Sequence, residues 1–466
     1  MHTNAQTLRP APLTSLSASP RANAHRREWR SPRPSTGLMW LLGFVNRWLL
    51  LMGVPLLRRI PLLRDLPFVH GYFWIRDIDL PSDDRRRFHR AVNAGTAAFL
   101  GPNHPEFGTD WLIDKEVSTF VAPRMASWAD RGIVAAAPGF WGRNNLIAND
   151  GGDAAKDYSV EWASAGEGVL LHPEGTVHWT NDVVHPLFPG IAQMAMRATA
   201  RTDKPVFIVP VVWKYQYVRD VSPRLHREMH LLEAGLGLPS GDRLRVPLRF
   251  LAVQHNILSR QMRRFGYDER TPNDDFFGQQ HAFQRFLIET LEQRHPIERV
   301  SDTDKRIARI ARAIRAKHTE TKGDVTDECV ERHGALTRDL EMTEEAKRLG
   351  EFTREIYGTP MLTQEQLSES LKRTRDRLLR SGWRNTIANM LPRPLGPRVV
   401  HIGVPEPILV TPVCAAERKE YESSLLEFAR ACMQKKLDEI NARIASEVQR
   451  FAHPNPFVTL GDIRAG

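Results

Sequence analysis

The strongest constraint on the fold of this chain is a succession of short apolar runs that each end in a loop signal and hand over to a helical pattern. The first, Val92 with Ala97-Ala98-Phe99-Leu100, stops at Gly101-Pro102 and reads as a buried strand feeding a loop. Thr109 or Asp110 then stands as the cap of a helix running Trp111-Leu112-Ile113-Asp114-Lys115-Glu116-Val117. Residues 132–137, 169–172 and 206–213 are further strand candidates, with helical patterns between them. Strands alternating with helices predict an α/β fold built on a mostly parallel sheet with flanking helices.

Past Asp220 the chain turns charged and helix-forming. Ile307, Ile310 and Ile314 recur at helical spacing, with Lys305, Arg306, Arg309, Arg312 and Arg315 on the other faces. Thr363-Gln364-Glu365-Gln366 carries a capping-box pattern, and Gly382 follows the last turn of that helix. Residues 399–410 return to strand character before a final helix bearing Leu425, Phe428, Cys432, Leu437, Ile440 and Ile444. With 466 residues there is room for one large α/β domain interrupted by a long helical insertion. The expected organisation is a basic tail at 1–36, an apolar membrane-associating segment at 37–79, an α/β core at 80–220, the insertion at 221–390, and a closing strand and helix at 391–466.

The tail holds six arginines and five prolines against one acidic residue, Glu28, and has no periodic apolar pattern, so it reads as disordered. Residues 37–57 are apolar over a length that could span a bilayer. Asn46 and Arg47 interrupt them, however, and a central Arg costs about 2.5–3.5 kcal/mol in a membrane helix. Trp40, Trp48 and the following Arg58, Arg59 and Arg64 suit an in-plane interfacial anchor; a buried core helix fits the same residues. A net charge of +10 favours an anionic partner, and a lipid surface, a nucleic acid or a phosphorylated substrate would each satisfy it; charge does not choose among them, and the partner expected on the whole chain is membrane lipid, not nucleic acid. Three cysteines, Cys329, Cys414 and Cys432, form neither a disulfide framework nor a CxxC metal site, and no stretch reads as a cleavable signal. The expected location is the cytoplasmic face of a membrane.

Two loops carry the candidate chemistry: Asn103-His104-Pro105-Glu106-Phe107-Gly108-Thr109-Asp110 and Leu171-His172-Pro173-Glu174-Gly175-Thr176. A histidine between a strand end and a helix start sits where open α/β sheets bind ligands, and its ordinary pKa near 6.5 suits a general base. Asp110 can fix its tautomer, with a substrate alcohol in place of a serine, since no GxSxG elbow is present. In the second loop Gly175 allows close backbone approach, while Glu174 and Thr176 offer polar contacts.

These loops, with the strand Val209-Pro210-Val211 after them, resemble those of the glycerolipid acyltransferases over residues 90–215. That resemblance implies His104 as the base that removes the acceptor proton and Asp110 as its orienter. It also implies Glu174 and Gly175 as acceptor-binding residues; Asn103, Glu106, Arg143 and Thr176 are further substrate-binding candidates beside them. No cofactor is implied; the co-substrate would be acyl-CoA or acyl carrier protein, and the acceptor a hydroxyl of a lipid-type molecule such as a lysophospholipid in phospholipid biosynthesis.

Two positions depart from the family pattern. Five residues separate His104 from Asp110 instead of four, which leaves Glu106 as a possible substitute orienter, and Val177 stands where an Arg is usual. Arg143, Arg197 or Arg201 could supply the missing cation. Two other classes stay open: a metal-dependent hydrolase using His104, Glu106, Asp110, His172, Glu174, His178 and His185, and a non-catalytic membrane-binding protein on the same fold.

Overall fold

The computed structural model describes residues 29–53, 57–61, 63, 69, 71–121, 124–268, 275–298, 300–320, 326–379 and 395–458. The expected basic tail lies outside these except for its last eight residues, as do Arg64 and Gly382. The chain forms two compact units. One takes Thr14–Val221 and Arg380–Phe451, the other Ser222–Leu379 with Ala452–Gly466, in each case as far as they are described.

The first unit is α/β. Its sheet contains β1 (Ile75–Asp79), β2 (Ala97–Pro102), β3 (Ala126–Ala129), β4 (Leu146–Ala148), β5 (Gly168–Leu170), β6 (Val206–Tyr217) and the late strands Arg398–Gly403 and Ile408–Val410. The spatial order is β1, Arg398–Gly403, β6, β2, β5, β3, β4, with Ile408–Val410 also on β6. Both late strands run antiparallel to β6, and every other pairing is parallel.

β2 is buried along its whole length, and its alternate residues serve two cores. Ala97 and Phe99 join a cluster with α6 (Gly152–Ser164) and α7 (Gly190–Thr199). Ala98 and Leu100 join another with α2 (Ser82–Ala91) and α3 (Phe107–Val121). Burial on both faces is why these strands are continuously apolar in sequence instead of alternating with polar residues. β6 pairs with β2 only as far as Val211 and continues to Tyr217. Trp213 and Tyr215 therefore stand beyond the carboxyl end of β2, against α3.

Two sequence expectations are corrected. Residues 132–137 are not a strand, because α4 (Arg131–Ala136) occupies them, capped by Asp130, whose carboxylate accepts from Gly132 N at 2.7 Å. None of its residues is buried, so an apolar run without a strand partner has taken the locally capped helix. The helix after His104 starts at Phe107, so Thr109 and Asp110 lie within its first turn and do not cap it from outside. The short helix α5 (Pro138–Arg143) follows α4.

The apolar N-terminal segment forms α1 (Thr36–Val45) and a π-helical turn, Asn46–Leu51. Its two interrupting polar residues point into the protein. Asn46 Nδ2 donates to Leu112 O at 2.9 Å, and Arg47 pairs with the buried Glu116 at 2.6 Å, both on α3. A Cβ on Gly43 would lie 2.2 Å from Thr119 Oγ1, so only glycine lets α1 approach α3 this closely. Trp40, Leu41, Phe44 and Leu49 face outward, more than half exposed. Among the described residues no helix is long and apolar enough to cross a membrane.

The second unit is helical, with Ser222–Gly235, Val246–Arg264, Phe276–Arg294, Thr303–Glu320, Asp327–Leu349 and Gln364–Leu379 as its longer elements. Ile307, Ile310 and Ile314 are its buried stripe on Thr303–Glu320. The capping box forms as read: Thr363 Oγ1 accepts from Gln366 N, and Gln366 Oε1 from Thr363 N. His453–Pro454 pairs with Met361–Leu362, and Phe457 packs among Phe250, Phe276 and Phe352, so these C-terminal residues join the helical unit rather than the closing strand and helix.

Candidate active site

The site forms where β2 and β5 end. Asn103 continues β2 with its side chain: Oδ1 accepts from Trp213 N at 2.9 Å and Nδ2 donates to Trp213 O at 3.1 Å. Its amide is thus spent on holding β6, and at 1% exposure it is not open to a substrate. His104 follows, with 15% of its side chain exposed.

Asp110 orients His104, Nδ1 to Oδ2 at 2.7 Å. The five-residue spacing closes because the first turn of α3 brings the carboxylate back over the loop, where Oδ2 also accepts from Glu106 N at 2.7 Å. Oδ1 accepts from Tyr215 Oη at 2.5 Å and Trp213 Nε1 at 3.1 Å. Burial pushes the Asp110 carboxyl up, while the charge of His172 and the Tyr215 hydroxyl hold it down. Glu106 N–H and Trp213 Nε1–H can only donate, one to each oxygen, and with the Tyr215 hydroxyl and His104 Nδ1–H they make a donor set that suits the ionised carboxylate. Among the described residues no hydroxyl or thiol bonds to His104, and its Nε2 points away from the carboxylate.

Glu106 is engaged elsewhere. Its carboxylate pairs with the buried Arg398 at 2.9 Å and accepts from Thr109 Oγ1 at 2.6 Å. The Arg398 guanidinium also lies over the Tyr215 ring, 4.7 Å from its centroid. Burial works against the Arg398 charge, but Glu106, with Tyr217 and Tyr215, more than offsets this and holds its pKa above the usual value.

Glu174 joins the two loops. Oε2 accepts from His104 N and Oε1 from His185 N, each at 2.8 Å. At 2% exposure it braces the backbone instead of facing a ligand; burial pushes its carboxyl up to about 7, against the two backbone bonds. Gly175 is exposed at φ +69°, and Phe188 covers the place a Cβ would occupy. Thr176 is exposed beside it. Arg143 is exposed at the end of α5, and among the described residues no hydrogen bond or ion pair joins it to the dyad. Arg197 and Arg201 are paired with Asp153 and Asp157 on α6, so neither is a free replacement for the missing Arg.

His172 lies against the dyad itself. Its ring stacks on His104 with centroids 3.9 Å apart and planes 15° off parallel. Nδ1 lies 3.0 Å from Asn103 O, and Nε2 lies 2.9 Å from Oδ2 of the buried Asp114. Burial drags the His172 pKa down, but the charge and hydrogen bond of Asp114, with the Asp110 charge and the Asn103 carbonyl, together outweigh it and raise the group to about 9. His104 moves the other way, well below its usual value, through burial first and then the charges of His172 and His178. His178 and His185 form a second stacked pair at 3.7 Å. These histidines pair with carboxylates and with each other. Among the described residues, only His230, Glu233 and Asp242 in the helical unit gather as a potential metal trio, and there Arg249 already pairs with both carboxylates.

Asp114, His172, Trp213, Tyr215 and Arg398 surround the dyad without a sequence motif that marks them as its supports. A usable signal was present only for Asp114, which stands four residues after Asp110 and so on the same helix face. No protein-family model matches the chain, and no curated protein gives a significant match.

Proposed function

We propose that this protein is an acyltransferase that moves a fatty acyl group from acyl-CoA or acyl carrier protein to a hydroxyl of a lipid-type acceptor, in the manner of a lysophospholipid acyltransferase. The observation that carries the reading is the His104–Asp110 pair at the carboxyl end of a parallel sheet, with Nδ1 held by the carboxylate and Nε2 open. Nε2 takes the acceptor proton as the alkoxide oxygen attacks the thioester carbonyl. The imidazolium then returns that proton to the departing thiolate. Backbone N–H groups at the start of α3, other than the Glu106 N–H already bonded to Asp110, are assigned as the oxyanion donors.

Membrane attachment belongs to the same reading. The outward Trp40, Leu41, Phe44 and Leu49, with the polar Asn46 and Arg47 turned inward, support an anchor lying in the interfacial plane on the cytoplasmic face.

The test is thiol release from acyl-CoA or acyl carrier protein by the full-length protein, across glycerolipid, lysolipid and simple alcohol acceptors. Release is expected with at least one lipid acceptor, unchanged by a metal chelator and abolished in His104→Ala. If no acceptor releases more thiol than His104→Ala does, acyl transfer is wrong.

A further inference from the structure

We propose that His172 and Asp114 form a second histidine–aspartate pair in which His172 is a standing imidazolium, and that this charge, stacked on His104, keeps His104 a neutral base. The role assigned to His104 rests on the acyl-transfer reading; the charge assignment does not.

Hydrogen-bond chemistry carries the argument. Nδ1 of His172 faces the Asn103 carbonyl oxygen, which can only accept, so Nδ1 bears a proton. Nε2 faces the Asp114 carboxylate, 5% exposed, whose other oxygen is buried without a partner. A carboxylate accepts, so Nε2 bears a proton as well, and the ring is cationic. Two imidazolium rings face to face at 3.9 Å would repel strongly, so one of the stacked pair must be neutral. Both ring nitrogens of His172 have an acceptor within 3.0 Å, whereas His104 has one such bond, Nδ1 to Asp110, with the Glu106 backbone only a weaker contact, so His104 is the neutral ring. The opposite shifts of the two groups have the same sense.

The consequence is a base that stays unprotonated at pH values where a free histidine is largely charged. Once it takes the acceptor proton it is also a stronger acid than a free imidazolium and gives that proton up readily to the leaving thiolate. His172 touches no reacting atom in this scheme and is a positioning residue. The other charged or titratable groups facing the pair are Asp110 and Glu106 at the start of α3, Glu174, His178 and His185 from the loop after β5, and Tyr215 and Arg398 from the far side. Glu174 titrates near neutrality, so the ring nitrogens must be read directly.

The experiment is an NMR titration of the full-length protein, 15N-labelled at histidine, from about pH 5 to about pH 9.5, with assignments from His172→Phe and His104→Ala. His172 is expected to show two protonated ring nitrogens up to about pH 8, and His104 a single proton on Nδ1 at pH values well below those at which a free histidine titrates. In Asp114→Asn the amide can donate to Nε2, so His172 becomes neutral and the His104 midpoint rises by about one pH unit. The acid limb of the thiol-release profile should move with it at unchanged KM, and His172→Phe, which keeps the ring but not the charge, should shift it likewise. A neutral His172 in the native protein near pH 7 would overturn the proposal. So would a His104 midpoint that stays put in Asp114→Asn once His172 has lost its proton. If the nitrogens behave as expected and no acceptor releases thiol, the charge assignment stands and acyl transfer alone falls.

Discussion

Asp110→Asn is the most demanding test of the dyad, because the amide offers one acceptor oxygen where four donors converge on two. If its nitrogen takes the Oδ2 position, it meets Glu106 N–H and turns His104 to the wrong tautomer, with the proton on Nε2. If it takes the Oδ1 position, Tyr215 can rotate to accept, but Trp213 Nε1–H cannot. Either way one N–H is orphaned, part-buried on Glu106 or buried on Trp213, at about 1–3 kcal/mol, and the surviving bonds lose their charge assistance. A total loss of about 3 kcal/mol is expected in urea unfolding near neutral pH. Thiol release should fall by about 10³- to 10⁴-fold, the scale set by the wrong tautomer in such pairs. A stability loss under about 1 kcal/mol, or a rate within about tenfold of native, would refute the reasoning, since the orphaned donor is unavoidable in this geometry.

Other outcomes follow from the same structure. Because the His172 pKa is raised from 6.5 to about 9, its pairing stabilises the fold fully below about 6.5 and is lost as pH rises through about 9; at about 1.4 kcal/mol per pH unit that is roughly 3 kcal/mol. Asp114→Asn should therefore be destabilising in urea melts near pH 6 and almost neutral near pH 9.5, and an equal deficit at both would count against the ion pair. Gly175→Ala should cost about 1–2 kcal/mol, because φ is +69° while the exposed Phe188 ring can swing clear of the new methyl; circular-dichroism melts would register it. Trp40→Ala with Phe44→Ala should weaken sedimentation with anionic vesicles by several kcal/mol, at about 1.5–3 kcal/mol for each apolar side chain lost. The fold should be retained, since both residues are more than half exposed.

The parts of the fold legible in the sequence are those that local chemistry decides. Phe99 and Leu100 before Gly101-Pro102, the apolar run into His172, the Thr363 capping box and the Ile307–Ile310–Ile314 stripe each carry their own structural signal. Residues 132–137 misled because apolar content without alternation does not separate strand from helix, and the deciding group was the neighbouring Asp130. Within the site, His104 and Asp110 could be named from spacing. Their supports could not: Trp213 and Tyr215 reach Asp110, and Arg398 reaches Glu106 beside it, from strands one hundred to three hundred positions away. Nor does sequence separate a carboxylate that binds a ligand from one that braces backbone, which is how Glu174 came to be read as a contact for the acceptor.

Asn46 and Arg47 give the N-terminal segment a second meaning. Their bonds run to Leu112 and Glu116, on the helix that also carries Asp110 and Asp114. The segment is therefore not a detachable tether. Truncation after it would strip Glu116 of its counter-ion and uncover the side of α3 opposite the dyad, so the anchor and the chemistry must be inherited, engineered and expressed as one piece.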